Sequence, residues 1–452
     1  MLMPPFPAMK TIHIVVTLLI VLVLHSCRKD NDQPFGPGTA THSSEVVLSW
    51  IGLTLKLIKE TPGFSPPVAA RVYGYSGLAL YESVRQGMPG YRSLEGQLTG
   101  FNEGTVPLAD SRLNYHWGAV ANATLGVFIR SCFKTATPEN QALIDDLESQ
   151  YQNQFMSEAT EQVITRSVAN GQAVGQAILA YAESDGHSEC YKTNFPSSYI
   201  VPAGPGLWEP TSPANPIPLQ PYWGNVRPFM EANVADLLPA PPPAYSTDPA
   251  SAFYQEAMEV YSAVNNLTNE QKVIAEFWSD DPGKTATPPG HSYSIMKQIL
   301  EDENADLART AEVYSKLGMA VHDAFISCWN AKYHYNLIRP ISYIHQHIDP
   351  SWSIPLSTPP FPEYTSGHSV QSGATAKVLT DLFGTTYSFV DRTHADRTDI
   401  DGTPRAFPNF YTFAEEAAIS RLYGGIHFRS AIDVGVVQGI RIGTNIGSLE
   451  FP

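Results

Sequence analysis

Seven residues in the C-terminal third of the chain have the chemical types of a site for a tetrahedral oxyanion. They are Lys332, Arg339, Ser366, Gly367, His368, Arg421 and His427. They offer three cations, a hydroxyl, a glycine amide and two imidazoles, which can surround an anion with donors and place one histidine on either side of it. The chain has 28 Lys and Arg against 44 Asp and Glu, a net charge of −16. Positive charge gathered in so acidic a chain indicates a function.

The first two cations are seven residues apart, close to two turns of a helix. One helix could therefore present Lys332 and Arg339 on the same face. Pro340 disfavours helical backbone at the residue before it, so we expect the helix to end about Arg339. From a helix end, Arg339 could reach into a cavity.

The segment Thr365-Ser366-Gly367-His368 precedes SVQSGATAKVLTDLF, which is typical of a helix. The segment should therefore lie at a helix N-terminus, where free backbone N–H groups and the helix dipole favour an anion. Gly367 permits close approach of the backbone, and His368 is placed to give or take a proton.

Arg421 and His427 lie in SRLYGGIHFRSAID. Six residues turn an ideal helix by about 240°, so one straight helix cannot aim both side chains at the same point. Gly424-Gly425 lies between them and permits a break. We expect one helix to end near Arg421 and another to begin near His427, which brings a second helix N-terminus to the site.

Helical periodicity dominates the rest of the chain and predicts an all-α fold, because few stretches alternate with a period of two. The expected helices cover roughly 45–60, 66–87, 112–132, 137–153, 157–184, 249–264, 268–278, 290–303, 305–331, 369–383, 411–423 and 427–446. The segment 191–247 is rich in proline and aromatic residues and predicts a long ordered loop. It would cross between an N-terminal helical half that includes it (46–247) and a C-terminal half (248–452), built as two packed helical bundles.

The N-terminus resembles a bacterial lipoprotein signal over residues 1–27. Lys10 is followed by an apolar run and then by Leu24-His25-Ser26-Cys27, in which Cys27 would be lipidated. Residues 28–45 are polar and are expected to form a flexible tether. These features predict an exported cell-envelope lipoprotein, either periplasmic or on the outer-membrane surface, held at the membrane only by its lipid anchor.

The other cysteines and the net charge limit the partners of the chain. Cys132, Cys190 and Cys328 lie far apart and predict neither a zinc site nor a disulfide framework, so we expect mostly buried thiols, with one disulfide compatible with export. The acidic balance argues against nucleic acid, although a local positive field could still attract a small anion.

The order and spacing of the clusters, K-x6-RP, then SGH, then SR-x5-H, resemble the superfamily of vanadium-dependent haloperoxidases and type 2 phosphatidic acid phosphatases. The haloperoxidase branch is the nearer likeness, because Trp329 lies three residues before Lys332 and Phe361 seven before His368 in PPFPEYTSGH. FWSDDPGKTATPPGH (277–291) resembles that branch's upstream segment, and 66–84 resembles its N-terminal helix more weakly. Thr365 departs from the family's proline.

The resemblance implies a role for each residue. His427 would be the axial ligand of vanadate or the nucleophile toward phosphate, and His368 the acid–base residue. The equatorial oxygens would be bound by Lys332, Arg339, Ser366, the Gly367 N–H and Arg421. Trp329 and Phe361 would line the halide side. Asp281 would orient His368, with the adjacent Asp280 as an alternative.

One family feature is absent, since position 431 is alanine where an aspartate often follows the second histidine. If Asp433 does not reach the His427 ring, a backbone carbonyl must fix its tautomer.

The implied activity is oxidation of a halide by hydrogen peroxide at a histidine-bound vanadate, followed by transfer to an organic acceptor. The alternative is an acid phosphatase that acts on phosphate esters through a phosphohistidine and needs no cofactor. Phosphate and vanadate have similar shape and charge, so the donors cannot separate the two, but Trp329 and Phe361 favour the haloperoxidase. A lipoprotein that only binds an anion or glycan would not need two histidines. A metal hydrolase using His291, His322 and Asp323 would match no ligand spacing we can justify.

Overall fold

A computed structural model describes Met1, residues 35–211 and residues 216–452 of the chain. Thirteen α-helices lie in these ranges: α1 Glu45–Glu60, α2 Pro66–Val84, α3 Trp117–Cys132, α4 Pro138–Phe155, α5 Glu161–Glu183, α6 Ala252–Asn265, α7 Asn269–Phe277, α8 Thr287–Asp302, α9 Leu307–Tyr335, α10 Pro340–His347, α11 Gly367–Phe383, α12 Phe410–Tyr423 and α13 Arg429–Gly447. Strands β1 (Phe389–Asp391) and β2 (Arg405–Phe407) pair antiparallel. The all-α prediction is confirmed, and most helix bounds agree with it to within a few residues.

The end of α9 differs from the prediction. The helix stops at Tyr335 because Asn336 adopts a left-handed conformation with φ of 47°. Arg339 has extended backbone, as Pro340 requires, but it caps the start of the unpredicted helix α10. Lys332 and Arg339 therefore lie on different elements and do not share a helix face.

Two helices run through the centre of the molecule. Every residue of α2 from Pro67 to Val84 is buried, and so is nearly all of α9 as far as Lys332. One continuous apolar cluster includes side chains of α1 to α5 together with α8, α9, α11 and α12. A smaller cluster joins α6, α10, α12 and α13. The two halves of the chain are therefore packed through a shared core.

The proline-rich segment 191–247 packs as an ordered loop with short 3₁₀ turns over its described residues. Leu219 N donates to Pro360 O at 2.8 Å, and Leu219 O accepts from Tyr333 Oη at 2.6 Å and from Trp329 Nε1 at 3.3 Å. The loop thus fixes residues of the C-terminal half, including Trp329, which was predicted to line the site.

The packed chain begins earlier than the predicted tether allows. The signal segment, Cys27 and residues 28–34 lie outside the described residues. From residue 35 onward the chain is held, since Thr39 is buried and its Oγ1 donates to Val84 O at 2.7 Å. Leu307 N also donates to His42 O at 3.0 Å. Residues 35–45 are therefore part of the fold.

Cys132, Cys190 and Cys328 are free, with the last two buried, so none of these three forms a disulfide. Across the described ranges, no helix has both the length and the apolar character that crossing a membrane requires.

Helices α11 and α13 approach each other closely along a row of glycines. Gly435, Gly439 and Gly443 face α11, and a Cβ at Gly439 would lie 1.9 Å from Val370 O. At the end of this contact, Ser366 N donates to Ala431 O at 3.0 Å. The backbones themselves, more than interdigitating side chains, set the distance between these helices.

We therefore expect Gly439→Ala to destabilise the fold by about 1–3 kcal/mol, because the added methyl cannot fit without moving α13 away from α11. Urea unfolding followed by circular dichroism measures the change. Gly52→Ala is the matched control, since its Cβ would meet only Lys297 Cε at 3.7 Å. Equal unfolding midpoints for the two variants would contradict the contact.

Candidate active site

Two of the predicted cations hold the chain segment that leads to Ser366. Lys332 and Arg339 are both 0% exposed. Lys332 Nζ donates to Pro362 O at 3.0 Å and Glu363 O at 2.9 Å. Arg339 Nε donates to Phe361 O at 2.8 Å, and its Nη1 donates to Ile426 O at 2.8 Å. These bonds give the buried carbonyls, and most of the buried cationic N–H groups, a hydrogen-bond partner.

The buried cations carry more charge than their surroundings neutralise. Burial lowers the pKa of Lys332 to about 7 and that of Arg339 to about 10. Arg339 Nη2 is buried and has no hydrogen-bond partner among the described residues. An unused guanidinium N–H and excess positive charge fit an oxyanion, which would satisfy the donor and restore the charge balance.

The SGH segment lies at the N-terminus of α11, as predicted. Ser366 is the N-cap, with its Oγ accepting from Ser369 N at 3.3 Å. The hydroxyl proton remains to be donated, and the Gly367 N–H belongs to the first turn, where amides lack helical partners. A Cβ at Gly367 would lie 3.7 Å from Trp329 Cζ3, so this glycine adjoins the aromatic wall.

His427 follows the predicted Gly424-Gly425 turn and is presented just before α13, with Gly425 at φ of 73°. Its Nδ1 lies 2.8 Å from Glu363 Oε1, which also accepts from Phe428 N at 2.8 Å. Arg339 Nη1, which can only donate, lies 3.3 Å from Nε2. Nδ1 therefore carries the proton, and Nε2 keeps a lone pair for a ligand or an electrophile.

Glu363 replaces the backbone carbonyl that the sequence suggested for fixing this tautomer. Asp433 lies on the surface, with Oδ1 4.0 Å from Arg429 Nη1. Burial raises the pKa of Glu363 to about 8, against the effect of Arg339 and Lys332. A proton would sit on Oε2, which has no partner among the described atoms, so Oε1 accepts in either state. The only sequence signal was an acidic residue inside PPFPEYTSGH.

The partner of His368 is Asp280, and the prediction of Asp281 is wrong. Asp280 is 1% exposed, and its Oδ2 lies 3.6 Å from His368 Nε2, whereas the Asp281 side chain is exposed. Asp280 has φ of 50°, a left-handed turn of the backbone that carries its side chain inward. At this distance Nε2 makes no hydrogen bond within the described residues, but the facing carboxylate favours a proton on Nε2, which leaves the lone pair of Nδ1 for a reactant.

Electrostatics keep both histidines neutral. Burial first, and then Arg421, lower the pKa of His368 to about 4, although Asp280 opposes them. Burial together with Arg339, Lys332 and Arg421 places the pKa of His427 well below its usual value. Neutral His368 can accept a proton, and neutral His427 can bind through its lone pair.

Arg421 completes the set from the last turn of α12. Its side chain is buried, with Nε 2.9 Å from Ser420 Oγ and Nη2 donating to the carbonyls of Ala275 and Trp278. Burial lowers its pKa to about 10. These carbonyls belong to α7 and its end, so the segment that carries Asp280 is tied directly to Arg421.

A cavity of about 270 Å³ opens onto these groups. Most of the predicted residues line it: Asp281, Trp329, Phe361, Gly367, His368, Arg421 and His427. Lys332, Arg339 and Ser366 are fully buried around it. Trp329 and Phe361 form one wall with ring centroids 5.0 Å apart, and Lys332 Nζ lies 5.0 Å from the Phe361 ring. Arg421 and the aromatic wall thus line the cavity, and Lys332 and Arg339 are buried behind its lining.

The three residues considered for a metal hydrolase, His291, His322 and Asp323, do not form one cluster. Asp323 accepts from Phe229 N at 2.8 Å and from Met230 N at 3.0 Å, so it holds a turn of the crossing loop. His322 is buried against Tyr75 and Phe229. His291 instead bonds Asp280 and lies behind His368.

Comparison with known proteins agrees with this geometry. The family model of the VCPO second helical-bundle domain matches residues 312–352 and 346–449. Vanadium chloroperoxidase of Curvularia inaequalis is 26% identical over 223 residues, which is 39% of this chain and 36% of that protein. The chain thus spans about a third of the length of that relative.

Solved structures extend the likeness to most of the chain. A bacterial vanadium-dependent chloroperoxidase in its apo form matches 86% of this chain and 94% of its own, at 15% identity and a TM-score of 0.62, which shows the shared fold. A bacterial vanadium-dependent iodoperoxidase is 37% identical, with a TM-score of 0.81, over 90% of this chain and 96% of its own. At that identity over nearly the whole of both proteins, the chain belongs to the vanadium-dependent haloperoxidase family.

Proposed function

We propose that this protein binds vanadate at His427 and oxidises a halide with hydrogen peroxide. The observation that carries the proposal is a combination of three features: Arg339 Nη2 has no hydrogen-bond partner among the described residues, the lone pair of His427 Nε2 meets only a long 3.3 Å contact from Arg339 Nη1, and Trp329 and Phe361 form a wall beside them. Vanadate bound there would supply Lewis-acid activation of peroxide toward attack by a halide. The site residues would supply the charge compensation, the proton transfer and the exclusion of water.

The three buried cations would compensate the charge of the oxyanion. Lys332, Arg339 and Arg421 are already fixed by backbone carbonyls, so they need no rearrangement when an anion enters. Ser366 Oγ and the Gly367 N–H would add neutral donors from the start of α11. Donors that are oriented before the reaction stabilise developing negative charge without a reorganisation cost.

His368 would move the proton. Peroxide entering the cavity must lose a proton, and neutral His368 can accept it at Nδ1 while Asp280 holds the Nε2 side. The same residue can return the proton to the departing oxygen. Trp329 and Phe361 would exclude water from the halide side.

Iodide is the halide we expect first. A relative that is 37% identical over 90% of this chain is an iodoperoxidase, and iodide is the most easily oxidised of the common halides. The small-molecule partners would then be peroxide, iodide and an organic acceptor that meets the oxidised halogen.

A phosphatase is the second candidate, because His427 Nε2 is also placed as a nucleophile with Glu363 behind Nδ1. The chain would then hydrolyse phosphate esters without a cofactor. Parallel assays of iodide oxidation and ester hydrolysis on the vanadate-loaded and vanadate-free protein separate the two.

We expect the vanadate-loaded protein to oxidise iodide with peroxide, measured as triiodide absorbance, and His427→Ala to abolish this by removing the ligand. The unfolding midpoint should change little, because the ring already borders a cavity. His345→Ala is the control, since His345 bonds Trp352 O away from the site. Ester hydrolysis without iodide oxidation in the wild type would favour the phosphatase instead.

Glu363→Gln should weaken vanadate binding by roughly 10–100-fold, because the amide loses the carboxylate that orients the ligating histidine. Calorimetric titration with orthovanadate measures the dissociation constant. Glu256→Gln is the matched control, because that half-buried carboxylate bonds Ser430 Oγ instead of His427. Equal vanadate affinities in the two variants would show that Glu363 does not contribute to vanadate binding.

We also propose that Cys27 anchors the protein in the cell envelope, on the strength of the lipobox-like sequence. Wild-type protein expressed in bacteria should incorporate labelled palmitate and partition into detergent. Cys27→Ser should do neither, because the acceptor thiol is gone. Labelling that persists in Cys27→Ser would contradict the anchor.

A further inference from the structure

A buried chain of alternating carboxylates and imidazoles runs behind His368. Asp391 Oδ2 lies 2.7 Å from His291 Nε2, and His291 Nδ1 lies 3.0 Å and 3.1 Å from the two oxygens of Asp280. Asp280 Oδ2 then faces His368 Nε2 at 3.6 Å. The four residues come from β1, α8, the segment after α7 and α11. Elements distant in sequence therefore converge behind the acid–base histidine.

His291 must be doubly protonated in this arrangement. Each ring nitrogen faces a carboxylate oxygen, which can only accept, so each nitrogen must donate. Its ring stacks on Trp278 with centroids 4.3 Å apart and an interplanar angle of 18°, a contact that favours a cation. Burial opposes the charge, but Asp280 and Asp391 outweigh it and raise the pKa of His291 to about 10. His291 is thus a fixed imidazolium without access to substrate.

This imidazolium fixes the orientation of the Asp280 carboxylate. Both oxygens of Asp280 lie within hydrogen-bond distance of His291 Nδ1, and Oδ1 is 3.4 Å from His394 Nε2. Arg421 reaches the same segment through Trp278 O. The residue itself is on a left-handed turn, so its backbone supplies no helix or strand to hold the side chain. Asp391 in turn holds His291 and is secured by Thr393 N at 2.9 Å.

We propose that His291 and Asp391 are positioning residues for His368. By locking Asp280, they keep a carboxylate against His368 Nε2 and so leave Nδ1 as the nitrogen that exchanges protons with the reactant. Neither residue touches the cavity or the oxyanion donors. The activity readout below rests on the proposed haloperoxidase function, whereas the spectroscopic readout does not.

The same groups offer a competing occupant. Asp280, His291 and His394 have ligand atoms within 4.8 Å of one another, a spacing that a metal ion could bridge. An ion would have to displace the proton between His291 Nδ1 and Asp280, and His394 Nε2 lacks a hydrogen-bond partner among the described residues. Metal analysis is therefore one arm of the test.

The experiment compares the wild type with His291→Gln and Asp391→Asn in the full chain, with His345→Gln as the control. Proton NMR of the wild type should show two exchange-protected downfield ring N–H signals that are lost in His291→Gln, whereas the signal of the His427 Nδ1 proton should remain. In the vanadate-loaded enzyme, kcat for iodide oxidation should fall by about 10–100-fold, the range typical of residues that orient a functional histidine. The KM for peroxide and the vanadate dissociation constant should stay near wild-type values, whereas the unfolding midpoint should fall because a buried ion pair is broken.

Several results would overturn the proposal. They are an unchanged kcat in both variants, a parallel loss of kcat and vanadate affinity, and one bound metal per chain whose removal alters the downfield signals. Asp391→Asn leaves His291 in place and carries the test if His291→Gln does not fold. If the wild type oxidises no halide, the proposed function fails, and the two N–H signals still decide whether the buried imidazolium exists.

Discussion

The site depends on burying three cations without giving them carboxylate partners of their own. Lys332, Arg339 and Arg421 donate mainly to backbone carbonyls, at residues 361–363, 426, 275 and 278. A carbonyl satisfies a donor but does not neutralise its charge, so the field of the cations remains available to an anion. The same bonds hold the segments that carry Glu363, Asp280 and His427. The cations that would attract the oxyanion therefore also hold in place the chain segments that surround it.

Each histidine of the site is backed by a buried carboxylate from a different part of the chain. Glu363 faces His427 Nδ1, and Asp280 faces His368 Nε2. The two imidazoles thus expose opposite nitrogens, Nε2 on His427 and Nδ1 on His368. This asymmetry suits different tasks, since one lone pair would hold the central atom and the other would exchange a proton.

The sequence predicted those parts of the site that follow from local backbone rules. Serine and glycine before an apolar periodic stretch predicted the start of α11, and Gly424-Gly425 predicted the break before His427. It did not predict the end of α9, because an asparagine in a left-handed conformation gives only a weak signal.

Local sequence patterns also could not predict the long-range contacts. Asp280 and Asp281 are indistinguishable in sequence, and only the left-handed backbone at Asp280 decides which carboxylate turns inward. Glu363 lies 64 positions from His427, so spacing rules for carboxylates after a histidine could not find it. Residues 35–45 looked like a tether because polar composition does not reveal a buried Thr39.

The glycine row between α11 and α13 bears on how this site can change over time. His368 lies in the first turn of α11, His427 lies just before α13, and the two helices meet through backbone at Gly439 and at Ser366 N to Ala431 O. Side chains elsewhere in the core can be exchanged and repacked without altering that contact. Substitutions elsewhere in the core should therefore leave the distance between the two histidines unchanged. Substitutions in the cavity wall can alter the substrate preference without moving these histidines.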